Sequence, residues 1–68
     1  MKREQFLSRL RRYCRKKGLA LRVDEERGKG SHTTVYVGER LTILKSGDLS
    51  PLEVRTILKQ LDLPPGAL

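Results

Sequence analysis

The sequence predicts an α+β fold of order α-β-β-β-α, a two-layer sandwich in which two helices cover one face of a three-stranded antiparallel sheet. Three observations predict it: an apolar stripe at helical spacing over the first seventeen residues, three short runs of β-forming residues after it, and a helix-capping signature ahead of a second apolar stripe. At 68 residues the chain is sized for a single domain, 1–68, with one small core.

From about Lys2 to Lys17, the residues Phe6, Leu7, Leu10, Tyr13 and Cys14 recur with a helical period and leave the arginines and lysines on the other face. Gly18 stands where a left-handed C-terminal cap belongs, and Arg15, Lys16 and Lys17 suit the negative end of the helix dipole. Leu19, Leu21 and Val23 alternate with Ala20 and Arg22, the two-residue period of a strand over about 19–23, before Asp24-Glu25-Glu26-Arg27 breaks the pattern.

Strands over about 33–37 and 40–44 flank Gly38-Glu39 and read as a hairpin. Val35 and Val37 share a core face with Leu41 and Ile43 only if paired residue numbers sum to an even value, which favours a three-residue connection. Ser50-Pro51-Leu52-Glu53 then combines an N-cap serine, a proline at the first helical position and a glutamate three residues after the cap. A second helix over about 51–61 follows, with Leu49 and Val54 placed as a hydrophobic staple and Ile57, Leu58 and Leu61 continuing the stripe until Pro64-Pro65-Gly66 ends it.

The chain carries 15 Lys and Arg against 8 Asp and Glu, a formal charge of +7. Such an excess suits a phosphate-rich partner. Eight of the cations (Lys2, Arg3, Arg9, Arg11, Arg12, Arg15, Lys16, Lys17) fall in the first seventeen residues beside one acid, Glu4, so the first helix is expected to add electrostatic affinity for nucleic acid, Arg12 and Lys16 included. The single cysteine, Cys14, excludes an internal disulfide, and one Cys with one His falls short of the ligand set of a zinc site. Cys14 is expected in the core, no metal or other cofactor is expected, and no apolar run reaches the roughly 18 to 20 residues of a membrane span. The expectation is a soluble, cytoplasmic protein.

The chemistry-bearing stretch is Gly28-Lys29-Gly30-Ser31-His32, which holds the only histidine. If the second strand begins near His32, then His32, Thr34 and Tyr36 project from one face and Thr33, Val35 and Val37 from the other. The valines claim the core side, which leaves His32 on the solvent side. Glycines let backbone approach a ligand closely, and Lys29 among them completes a possible phosphate cradle; ordinary loop glycines are the alternative.

Cleavage of RNA without a metal needs a base for the 2′-hydroxyl proton, an acid for the leaving oxygen and positive charge at phosphorus. Histidine is the residue type suited to either proton role near neutrality. Lys29 and Arg40 are expected to bring charge to the phosphate, and the acid is left open among water, Tyr36 and Lys45. A solitary histidine is also commonly a surface hydrogen-bonding residue, and that reading stands beside the catalytic one.

The stretch from Arg27 through Gly30-Ser31-His32 to Arg40 resembles the HicA family of toxin ribonucleases, whose signature is Gly-Ser-His entering the second strand, and Val54-Arg55-Thr56-Ile57-Leu58-Lys59-Gln60-Leu61 is similar to that family's closing helix. With the opening helix, the resemblance covers nearly the whole chain. It implies a double-stranded-RNA-binding type of fold, cleavage of mRNA that arrests growth, His32 as the catalytic histidine, and a HicB-type antitoxin that covers it. Gly30 and Ser31 match the same motif. Where many members place proline and a further histidine after the third strand, this chain reads Ile43-Leu44-Lys45-Ser46; their Gly-Thr pair opening the last helix is here Leu52-Glu53; and the loop before Gly30 is longer.

Together these readings predict a metal-independent endoribonuclease toxin, with His32 exchanging the proton and Lys29, Gly30, Ser31, Arg40, Arg12 and Lys16 contacting RNA. The alternatives are a non-catalytic RNA-binding domain, in which the Gly-Ser-His loop touches sugar hydroxyls, and DNA binding by the basic helix, which lacks an evident base-reading set of Asn or Gln.

Overall fold

The computed structural model describes residues 1–25 and 32–68. Its elements are α1 (Arg3–Lys17), β1 (Leu21–Glu25), β2 (His32–Val37), β3 (Arg40–Lys45) and α2 (Pro51–Gln60). The strands form one antiparallel sheet in the order β1-β2-β3, and the predicted α-β-β-β-α order is the observed one.

The core lies between the helices and one face of the sheet. Phe6, Leu10 and Cys14 of α1, Val35 of β2, Leu44 of β3 and Leu58 of α2 are all buried, and Tyr13 packs against them from the rim. Burying an aliphatic or aromatic side chain of this kind stabilises by roughly 1.5–3 kcal/mol, so this single cluster is what fixes the helices to the sheet. No helix among the described residues is long and apolar enough to cross a membrane.

α1 ends as its glycine dictates. Gly18 adopts φ +69°, its N–H donates to the Arg15 carbonyl, and the Leu19 N–H donates to the Cys14 carbonyl at 2.8 Å. This paired pattern is the Schellman motif, and it corrects the expected start of β1. Leu19 spends its N–H on the helix end and cannot open a sheet ladder, so β1 runs over Leu21–Glu25 instead of 19–23. At the other end Asp24 and Glu25 do not break the strand; they pair with Thr34 and Thr33. Both acids are exposed on an edge strand, where charge costs little and discourages pairing with another chain.

The β2–β3 hairpin closes with two residues, Gly38 and Glu39, since Val37 pairs with Arg40. Gly38 has φ +59° while Glu39 keeps an ordinary negative φ, the backbone of a turn with glycine at its first central position. The three-residue connection is thereby overturned, and with it the placement of Leu41 and Ile43. Paired numbers sum to an odd value, so Thr42 and Leu44 turn inward with the valines, while Leu41 and Ile43 stand 52% and 58% exposed on the far side. Thr42 is tolerated in the core because its hydroxyl donates to Gln60 Oε1 of α2.

α2 begins as read: Ser50 Oγ accepts from the Glu53 N–H at 3.1 Å and Glu53 Oε1 accepts from the Ser50 N–H at 3.0 Å. Leu49 is buried just before the cap and Val54 packs on the core beside it. The chain's first residues tie both helix starts together, with the Arg3 N–H donating to the Gly47 carbonyl and the Leu49 N–H to the Met1 carbonyl.

Candidate active site

Both helices pack on one face of the sheet, which leaves the other face open. Directly opposed residues of an antiparallel pair project to the same side, so the register organises the open face into rows. The first row runs Arg22–Tyr36–Leu41 across the three strands, the second Asp24–Thr34–Ile43, and the third joins His32 to Lys45.

His32 opens β2 and is exposed on this face. The alternation that puts it there is the one set by Thr33, Val35 and Val37, all buried on the opposite side. Its cross-strand neighbour is Lys45, the last residue of β3, with the two Cβ atoms expected about 5 Å apart. Tyr36 shares the face but lies four residues along the same strand, roughly 13 Å away. Of the two side chains, Lys45 is therefore the one the register sets beside His32.

Lys45 lies where β3 meets the start of α2. It lines a shallow groove with Ile43, Leu52, Glu53 and Thr56. Glu53 is held below the usual glutamate range first by the Ser50 N–H and the Ser50 hydroxyl, against slight desolvation, and further by the nearby Lys45 charge. The same geometry brings together an apolar strip, Leu41, Ile43 and Leu52, of which Leu52 is 70% exposed.

Other expected site residues are placed elsewhere. Arg40 sits at the far end of the hairpin, opposite Val37, and the odd register directs it to the helix-covered face, where it borders Tyr13, Lys17 and Leu61. It cannot share a phosphate with His32, and the expectation that it does is corrected by the same two-residue turn that exposed Leu41 and Ile43. Arg12 and Lys16 are exposed on the side of α1 turned away from the buried stripe of Phe6, Leu10 and Cys14. They belong to the helix layer and His32 to the open face of the sheet layer, so they act on that face through the long-range field, which salt screens within about 8–10 Å. Lys29, Gly30 and Ser31 lie outside the described residues.

Cys14 is 1% exposed under α1, and burial pushes its thiol up from its ordinary range, so it behaves as a core residue with no access to the open face. Among the described residues no three His, Cys, Asp or Glu side chains cluster as metal ligands would. A feature that sequence reasoning did not extract is the stack of the Arg22 guanidinium over the Tyr36 ring, 4.2 Å from the centroid. The alternation with Leu21 and Val23 fixes the face on which Arg22 falls, but which residue of β2 it opposes depends on the β1–β2 register, which the strand pattern does not carry.

No protein-family model, curated protein or solved structure matches this chain.

Proposed function

We propose that this chain is an endoribonuclease that cleaves single-stranded RNA by internal transesterification, without a metal, in the manner of the HicA-like toxins its Gly-Ser-His signature resembles. The single observation that carries the reading is the exposed His32–Lys45 pair on the open sheet face of a chain of charge +7.

The chemistry divides between the two side chains. The His32 imidazole accepts the proton of the ribose 2′-hydroxyl, and the 2′-oxygen attacks phosphorus. The Lys45 ammonium neutralises charge building on the phosphoryl oxygens and donates a proton to the departing 5′-oxygen. One P–O bond forms and one breaks, leaving a 2′,3′-cyclic phosphate on one fragment and a 5′-hydroxyl on the other. Lys45 falls in the stretch Ile43-Leu44-Lys45-Ser46, where many members of that family place proline and a further histidine.

The proposed partner is a HicB-type antitoxin. Leu41, Ile43 and Leu52 form an exposed apolar strip bordering His32 and Lys45, and a protein seated on that strip covers the histidine.

Incubation of the purified chain with end-labelled single-stranded RNA tests the reaction. The wild type is expected to cleave equally with and without chelator. His32→Ala is expected to abolish cleavage while leaving the thermal midpoint unchanged, since an exposed side chain contributes little to stability. Lys45→Ala is expected to lower the rate by about a hundredfold, with partial recovery in Lys45→Arg. Cleavage that survives His32→Ala ends the proposal. A wild-type chain that binds RNA with no turnover favours the non-catalytic RNA-binding reading.

A further inference from the structure

We infer that Arg22, Tyr36 and Leu41 form a nucleobase-binding subsite on the open sheet face, which holds an unpaired base of the RNA whose phosphate lies at His32 and Lys45. The inference rests on the RNA reading above and deepens it.

Three independent features meet at this row. The first is chemical: Tyr36 is the aromatic side chain of the open face, and the Arg22 guanidinium carbon lies over its ring, 4.2 Å from the centroid. Aromatic rings and guanidinium planes are the two protein surfaces on which RNA bases stack, and here one rests on the other. The second is shape: a hollow beside the stacked pair is lined by Ala20, Leu21, Arg22, Tyr36 and Gly38. The third is the neighbour across the hairpin. Leu41 pairs with Tyr36 and is 52% exposed, which extends the ring into an apolar shelf instead of the polar residue expected on a solvated strand face.

Spacing along β2 connects this row to the reacting one. Tyr36 and His32 lie on the same face roughly 13 Å apart, about four nucleotides at the ~3.4 Å rise of a stacked strand and fewer when the strand is extended. A strand that places a phosphate between His32 and Lys45 therefore crosses the Arg22–Tyr36 row without bending. A duplex cannot use the row, because its bases are already stacked and paired. The same geometry makes the subsite tolerant of base identity, since every base has a face to stack.

The test uses the full chain carrying His32→Ala, so that RNA stays intact, and measures binding to a fluorescent single-stranded oligonucleotide, to its duplex, and to versions with one abasic ribose walked along the strand. Tyr36→Ala is expected to weaken single-strand binding about tenfold and Tyr36→Phe to leave it within about twofold. One abasic position is expected to reproduce the Tyr36→Ala loss, and the two together to cost no more than either alone. Because Tyr36 is half-buried, Arg22→Ala serves as a second variant on an exposed residue, with a circular dichroism melt to certify each fold. Unchanged affinity in folded Tyr36→Ala and Arg22→Ala chains, or equal affinity for single strand and duplex, overturns the subsite and leaves the face to a protein ligand. Loss of binding on Tyr36→Ala together with a wild-type chain, His32 intact, that does not cleave keeps the subsite and loses only the nuclease reading.

Discussion

Gly38 shows how much one residue decides. Its φ of +59° belongs to the left-handed region, and a Cβ added there meets nothing within 4 Å, so the objection to a side chain is purely one of backbone conformation. Gly38→Ala is expected to cost about 1–2 kcal/mol, visible as a thermal midpoint lowered by roughly 4–16 °C for a domain of this size. An unchanged midpoint would mean that the turn relaxes to another form. The residue also explains which parts of the site were legible. The side of β2 on which His32 falls follows from the alternation of Thr33, Val35 and Val37 alone, because a strand has only two faces. The side taken by Arg40, Leu41 and Ile43 depends on whether the loop holds two residues or three, and composition favoured the apolar answer of burying Leu41 and Ile43. Backbone geometry prevailed, and Thr42 was admitted to the core by one hydrogen bond to Gln60.

Among the elements, the helices were the most legible and the strand ends the least. α1 and α2 announce themselves by period and by caps, and both ended within a residue of expectation. β1 moved by two residues because the Schellman turn at Gly18 consumed the Leu19 N–H, a competition that no strand pattern reveals. The capping box of α2 makes a prediction of its own. Ser50→Ala is expected to destabilise the chain by about 1 kcal/mol in a thermal or denaturant melt. Glu53 adds a dependence on pH whose sign follows from its lowered pKa: a carboxyl that ionises more readily when folded stabilises the fold above the usual glutamate range and loses that contribution as pH falls through its folded value. Melts of the wild type and Glu53→Ala should therefore stand furthest apart near neutrality and converge in acid. A gap that widens on acidification would contradict the assignment.

At the scale of the whole molecule, the cations are divided between the helix layer and the open face of the sheet. Arg12 and Lys16 of α1 lie opposite its buried stripe and away from the sheet, whereas Arg11 and Arg15 border the β1 edge beside Arg22, and Arg22, His32 and Lys45 occupy the open face. Salt dependence separates the two. Each phosphate neutralised on a single strand contributes a slope of about −0.7 to log affinity against log salt. With RNA on the open face, Lys45→Gln is expected to flatten that slope by about 0.7, while Arg12→Gln with Lys16→Gln leaves it nearly unchanged. The reverse result would place the nucleic acid on the helices and remove His32 from its path. That division could not be read from the sequence: the basic segment and the histidine are each evident, but only the packing shows that Arg12 and Lys16 do not share a side with His32.

The outward turn of Leu41 and Ile43 has a cost in solution behaviour. They stand on β3, a border strand whose outer amides and carbonyls have no ladder partner among the described elements, and such a border is a template for another chain. Arg40 and Lys45 bracket the two aliphatics as gatekeepers, and the overall charge of +7 keeps copies apart. Concentrated stocks in high ionic strength, where that repulsion is quenched, are the condition under which this border would begin to join molecules into oligomers or precipitate.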